Sequence, residues 1–179
     1  LSLKALAICA FFHMQDPHEA GIKEEVVDMI CKQSENIVKY SNDHKIEEEV
    51  VLSIIWNESR FEPDVVSNHG ACGLMQIIPK WSIGKRTCND LKDPSLNILE
   101  GIKLLTKWRD DYGKGSLEKG ICGYAAGYNC SNSKENKGRK YSNKIMKLSK
   151  QMKKKISAFE KHMVYAAALK KLLSDKYRI

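Results

Sequence analysis

The 179-residue chain holds only 4 prolines and 11 glycines, and most of them fall in short clusters between longer segments. No segment sustains the strict apolar–polar alternation of a half-buried strand, which argues against a sheet-built fold and for a mainly α-helical one. Long apolar runs are missing as well. The apolar stretch that ends at Phe12 is far too short to cross a bilayer as a helix. The six cysteines, Cys9, Cys31, Cys72, Cys88, Cys122 and Cys130, include no C-x-x-C pair and no His-paired spacing, so zinc is not expected. Their even number and wide spacing fit disulfides in a protein that matures outside the cytoplasm; buried free thiols fit the same pattern.

Charge is unevenly placed. The formal net charge is +8, yet from Lys134 to Ile179 there are 15 Lys and Arg against 3 Asp and Glu, which leaves residues 1 to 133 at −4. A basic tail of this kind suggests a contact separate from the main site, with an anionic wall, a membrane surface, nucleic acid or an acidic partner, or it is simply a solvated helix face. Specific nucleic-acid recognition is not expected.

The length suits one domain with appendages. Residues 1–18 form an apolar N-terminal segment, either an ordered helix packed on the domain or a partner, or the remnant of a signal peptide. Asp16-Pro17 breaks it, and Gly21 lies near the start of the next element. Residues 19–148 make the domain. Within it, 22–40 is expected to be a helix ending before Ser41-Asn42-Asp43, and a second helix leads to Glu58. A loop from Lys80 to Lys92 carries Trp81, read as a packing residue with stacking on a ligand ring as the alternative. Asp93-Pro94 is a cap followed by Pro at the first helical position, opening a helix that stops at Gly113. Residues 149–179 form a basic amphipathic helix. From Ile145 the apolar positions Leu148, Met152, Ile156, Phe159, Met163, Ala166, Leu169 and Leu173 recur every three or four residues, the spacing of a coiled-coil seam or a narrow packing stripe, so docking on a protein partner or in an oligomer is expected there, with its own domain or a membrane surface as the alternatives.

The chemistry points to Glu58. Ile46, Val50, Val51, Ile54 and Ile55 place an apolar face on the preceding helix, and position 58 continues it. A carboxyl on such a face is desolvated, its pKa rises, and it becomes a general acid fit for neutral pH. Pro63 marks the exit from the helix shortly afterwards. Ser67-Asn68-His69-Gly70-Ala71-Cys72-Gly73-Leu74-Met75-Gln76 then folds back on a tight course and brings Gln76 towards the acid.

The run E-S-x-F-x-P followed by S-x-x-G-A-x-G-L-M-Q closely resembles the lytic transglycosylases of bacterial cell walls and their phages, which share a goose-type lysozyme fold. The resemblance implies a helical lysozyme-like domain with a long C-terminal amphipathic helix added. It makes Glu58 the catalytic acid and then base, with Ser67 and Gln76 steadying the acid or the sugar's N-acetyl group. Met75 would line the cleft floor, Tyr124 would lie beside the acid, and Tyr141 would approach the cleft. Ser59 is read as capping or orienting locally, with a direct role as the alternative. In D-P-x-x-N-I-x-x-G, Asn97, Ile98 and Gly101 match a helix packed behind the site. Ala125 stands where the family has Asn, with Asn129 as a substitute.

Asp64, Asp90 and Asp93 match no nucleophile position, so the resemblance implies a single-acid, substrate-assisted cleavage of the MurNAc–GlcNAc bond in peptidoglycan glycan strands, yielding 1,6-anhydroMurNAc and requiring no metal or organic cofactor. The alternatives are a hydrolytic lysozyme on the same fold, or a structural or wall-binding protein of a virion or secretion apparatus with reduced activity. The expected location is the cell envelope, periplasm or exterior, or else a phage virion.

Overall fold

The computed structural model describes residues 1–15, 23–130 and 136–176. Among them the fold is helical, with two isolated β-bridges, Val66 to Cys72 and Cys72 to Ile77, and no strand. The Asp16-Pro17 break and Gly21 lie outside the described residues.

Helix α1 (Leu3–His13) is capped by Ser2, whose side chain accepts from the Ala5 N–H. It buries Ala5, Ala7, Ile8, Phe11 and Phe12, in one core with the central helix. A disulfide from Cys9 to Cys31 fastens it to α2 (Glu24–His44). The apolar N-terminal segment is thus an ordered helix packed on the domain.

Helix α2 runs through Ser41-Asn42-Asp43 instead of stopping before them. Tertiary burial overrides the local turn preference of these residues: Ser41 is buried, and the helix ends at Lys45 in a left-handed conformation. There the Lys45 and Ile46 N–H groups donate to Asn42 and Ser41 carbonyls at 3.1 and 2.9 Å. The guanidinium of Arg109 donates to the His44 and Lys45 carbonyls at 2.9 and 3.0 Å, satisfying groups the helix end leaves open.

Helix α3 (Glu48–Ser59) is the axis of the molecule, with Glu49 to Ile55 buried without interruption. A helix sheathed all round must sit inside the others. The carboxylate of Glu49 takes an ion pair from Lys4 of α1 at 2.5 Å. The helix ends sooner than Pro63 requires, because Arg60 and Phe61 both take positive φ, 55° and 64°. Two left-handed non-glycine residues in succession are strained, and the burial of Phe61 against Phe12 and Trp56 holds them there.

Helix α4 (Pro94–Lys107) starts at the Asp93 cap, whose carboxylate accepts from the Leu96 N–H at 2.7 Å. It widens into a π-helical turn, Trp108–Tyr112, before Gly113. Helix α5 (Leu117–Ala126) and α6 (Lys137–Lys176) complete the body. Helix α6 is 40 residues, about 60 Å at the usual rise. Its first half joins the core, and Ser149, Met152 and Ile156 are buried alongside Ile145 with no break at 148. Beyond residue 160 the same apolar stripe emerges, baring Leu169 and Leu173, and Val164, Tyr165 and Leu172 are exposed beside it.

Between α3 and α4 the chain has little regular structure, so its backbone groups need other partners. The buried amide of Asn97 supplies three. It donates to Cys72 and Leu91 carbonyls at 3.0 and 2.7 Å and accepts from the Met75 N–H at 2.7 Å. Gly73, at φ +75°, passes so close that a Cβ there would lie 2.1 Å from the Leu91 carbonyl oxygen and 2.2 Å from Asn97 Nδ2. The Cys72–Cys88 disulfide closes the same loop, a bridge of a span that typically adds about 3 kcal/mol. Replacing Asn97 by Ala strands three buried polar groups at once. We expect N97A to lose about 3 kcal/mol, read as a fall of roughly 10 °C in Tm by circular dichroism without reductant.

Candidate active site

Glu58 lies in the last turn of α3 and is largely shielded from solvent. Burial raises its carboxyl pKa, and hydrogen bonds from Tyr141 and Asn57 together with the charge of Lys144 draw it part of the way back. A helix C-terminus is itself a poor place for negative charge. Tyr141, in the second turn of α6, donates its phenolic O–H to Glu58 Oε1. Tyr124, on α5, donates to the Met75 carbonyl at 2.6 Å. Burial, reinforced by the nearby Glu58 charge, pushes both phenols well above the usual tyrosine range, so both remain neutral donors.

The loop residues take different places. Ser59 orients locally: its hydroxyl donates to the Leu74 carbonyl at 2.9 Å and lies 3.2 Å from the Ile55 carbonyl, tying the end of α3 to the returning loop. Ser67 accepts from the His69 and Ala71 N–H groups at 3.3 and 3.1 Å and so braces its own turn; its O–H is left as a donor. Gln76, at φ 49°, gives its amide hydrogens to the Val65 and Gly73 carbonyls, both at 3.0 Å.

The Met75 side chain does not line a cleft floor. It is 0% exposed, and a Cβ on Gly101 of α4 would lie 2.3 Å from its sulfur. What Met75 offers the site is its carbonyl, the acceptor for Tyr124. Asn129 is not the stand-in for the missing family Asn either. It is exposed, with its backbone carbonyl accepting from Asn136 at 2.8 Å, and it is not among the groups that act on Glu58, where Asn57 supplies the side-chain hydrogen bond. Ala125 remains a small exposed residue on α5.

Sequence reasoning gave no role at the site to Asn57 or Lys144. Asn57 is a polar residue at the end of an apolar helix, directly before the acid, and Lys144 follows Tyr141 by one helical turn, so each had a positional signal. A cleft was expected but not its extent: a groove of about 1070 Å³ includes Gln76 and Tyr124 in its walls and continues past Trp81, Trp108, Tyr112 and Tyr128. Glu58 is not among its walls, although Tyr124, which is, lies near enough to feel the Glu58 charge. Trp81 is 61% exposed on this wall, so it is available for stacking and is not a packing residue. Trp108, Tyr112 and Tyr128 form an edge-to-face cluster with centroids 5.2 to 6.1 Å apart. A disulfide from Cys122 to Cys130 spans the turn that carries Tyr128, and the Tyr112 phenol donates to the Cys130 carbonyl at 2.6 Å.

None of the groups acting on Glu58 is a second carboxylate. Asp90 is exposed and holds Thr87 at 2.8 Å, Asp93 caps α4, and Asp64 lines a separate pocket with Lys23 and Phe61. Asp111 lines the groove but lies 4.0 Å from Lys107. The one trio with metal-ligand geometry among the described residues, Cys9, His13 and Cys31, has its two sulfurs joined to each other.

A helical body that carries its acid on the end of a sheathed central helix is a lysozyme-like domain. The family model for the transglycosylase SLT domain matches residues 35–147, and the chain belongs to that family. Membrane-bound lytic murein transglycosylase C of Histophilus somni is 34% identical over 86 residues, which cover 42% of this chain and 24% of that protein. The transglycosylase of Enterobacteria phage PRD1 is 31% identical over 113 residues, covering 63% of this chain and 41% of its own. Among solved structures, an inactive mutant of the lytic transglycosylase Slt from Pseudomonas aeruginosa aligns with a TM-score of 0.55 at 19% identity, over 64% of this chain and 22% of that one, a likeness of fold. The chain thus spans about a quarter of the length of the murein relative, 24%.

Because burial raises the folded-state pKa of Glu58 above its ordinary 4.5, the carboxyl favours folding below that value, and the contribution is lost as pH rises through the folded pKa. Gln mimics the protonated form throughout. E58Q should therefore melt a few degrees above the wild-type chain at pH 7, and the gap should close towards pH 4 in paired thermal melts.

Proposed function

We propose that the chain is a peptidoglycan lytic transglycosylase in which Glu58 serves alone as acid and then base. The single observation that carries this reading is a desolvated carboxyl held by neutral donors, with no second carboxylate among the groups that act on it. Tyr141 occupies Oε1, so the transferable proton belongs on the other carboxyl oxygen. Glu58 gives that proton to the oxygen leaving from a MurNAc–GlcNAc bond, and the N-acetyl group of the same sugar stabilises the cationic carbon from behind. The carboxylate then takes a proton from the C6 hydroxyl, whose oxygen closes the 1,6-anhydro ring. Neutral Tyr141 and Asn57 stabilise the carboxylate between the two steps without competing for its proton.

The groove fits a glycan strand, since sugar faces stack on exposed aromatic rings such as Trp81 and Tyr128. Gln76 and Ser67 act through the loop, which they hold in the conformation that presents the Met75 carbonyl to Tyr124. Three disulfides among the described residues suit an oxidising compartment outside the cytoplasm, the cell envelope or a phage particle acting on it. No described helix is long and apolar enough to cross a membrane.

Mass spectrometry of sacculus digests tests the reaction, because an anhydro product is one water lighter than a hydrolysed one. We expect anhydro-muropeptides from the wild-type chain and at least a hundredfold less from E58Q, about the loss of a general acid. Products one water heavier would make the enzyme a lysozyme, and unchanged sacculi would leave a wall-binding protein. The rate should fall as pH rises above the raised pKa of Glu58, because only the protonated form starts the reaction.

A further inference from the structure

The family match ends at residue 147, and helix α6 continues well past it, to Lys176. Its inner side is used up by the body: Met152 and Ile156 are buried, and Phe159 and Met163 pack against the same core. About half a turn round the helix from these, Lys147, Lys150, Lys154 and Lys161 follow one another at intervals of three, four and seven residues. They form a single line. All four are exposed, and among the described residues none of them pairs with an acid.

The line then changes character. Tyr165, Leu169, Leu172 and Leu173 take it up at intervals of four, three and one, on a side that differs by only about a sixth of a turn. This end is apolar and uncovered, with Tyr165 71% and Leu172 67% exposed. Lys170 and Lys171 flank it. Between residues 147 and 174 there are eight lysines and one acid, Glu160, and Glu160 already lies 3.6 Å from Lys4.

The outer side of α6 thus presents a row of positive charge running into an apolar patch, about 40 Å along one straight element. A hydrated polyanion, whether wall polymer or nucleic acid, would meet the lysines but has no apolar phase for the patch. A second copy laid parallel on this side would set lysine against lysine. The apolar end is also only about two and a half turns long, whereas a coiled-coil seam is sustained over about three or four heptads. An anionic bilayer offers both halves in one plane, phosphate headgroups for the row and the acyl boundary for the patch. Tyrosine is at home where the two meet, and the flanking lysines can reach back to headgroups from an inserted face. No described helix is able to cross a bilayer, so the contact is one of lying on the surface.

We propose that α6 is a membrane-surface helix: Lys147, Lys150, Lys154 and Lys161 dock on anionic phospholipid headgroups, and Tyr165, Leu169, Leu172 and Leu173 enter the acyl boundary beside them. The catalytic body is then held against a lipid surface by its own last helix. The proposal concerns where the protein works and is independent of which bond it cleaves.

The test sediments the full chain with vesicles of phosphatidylcholine alone and with vesicles of two parts phosphatidylcholine to one of phosphatidylglycerol. The mixed vesicles should bind it about a hundredfold more tightly at low salt, and the difference should shrink as salt is added. K147Q/K150Q/K154Q/K161Q should remove most of that hundredfold, since each lysine near such a surface is worth about fivefold. The matching arginine set should retain it. L169Q/L172Q should weaken binding about tenfold by taking away apolar contact. Y165W should add emission that brominated acyl chains quench, on mixed vesicles only. Circular dichroism establishes that each variant is folded.

Equal binding of the wild-type chain to the two vesicle types, or binding to neither, would overturn the proposal. So would binding to mixed vesicles that L169Q/L172Q leaves intact with Y165W unquenched, which would be attraction to any polyanion. A concentration-dependent dimer that L169Q/L172Q dissolves would overturn it too, and would make the patch a contact between copies. Each of these results leaves the cleavage reading standing, because the sacculus digest tests that separately.

Discussion

One buried side-chain amide, that of Asn97, holds the site together. The segment between α3 and α4 has no ladder or helix to satisfy its backbone, and the Asn97 amide fills that gap at residues 72, 75 and 91 at once. Close approach is possible because Gly73 has no side chain and Gly101 leaves room for Met75. With the Met75 backbone fixed, its carbonyl is in place for Tyr124, and Leu74 is in place for Ser59. The surroundings of Glu58 are thus assembled from α3, α4, α5, α6 and one loop, and the loop is the part with least intrinsic order. A site that must hold a carboxyl among polar neighbours depends on such indirect bracing.

The acid itself sits between opposing influences. Desolvation favours the neutral carboxyl, whereas Tyr141, Asn57 and Lys144 favour the anion. A site with burial alone would keep its proton too firmly, and one with donors alone would lose it at neutral pH. The two tyrosines are suited to this balance because their own ionisation is pushed out of reach. They supply hydrogen bonds at any pH the fold tolerates without adding charge.

Much of this was written in the chain at the level of local pattern. The helical phase of Ile46, Val50, Ile54 and Ile55 is enough to put position 58 on a buried face, and a single apolar helix of that kind is the natural centre of a helical domain. What the pattern could not convey were matters of direction and long-range pairing. Met75 belongs to the motif but faces inward, because α4 presents a glycine to it. Ser41-Asn42-Asp43 has the composition of a turn but lies inside a helix, because burial at Ser41 outweighs local preference. Asn57, Lys144 and the groove aromatics are separated by up to several dozen residues, so their convergence is a property of the packed body. The cysteine pairing likewise became visible only with the chain folded.

The bond between Cys9 and Cys31 has a topological consequence. It encloses every residue from 14 to 22, so a protease that cut anywhere in that interval would not release the first helix. The two pieces would travel as one species until a reductant parted them, and the intact and nicked forms would be indistinguishable on a non-reducing gel. Scission there would be covalently silent, with Phe11 and Phe12 still tethered to the interior they help to fill.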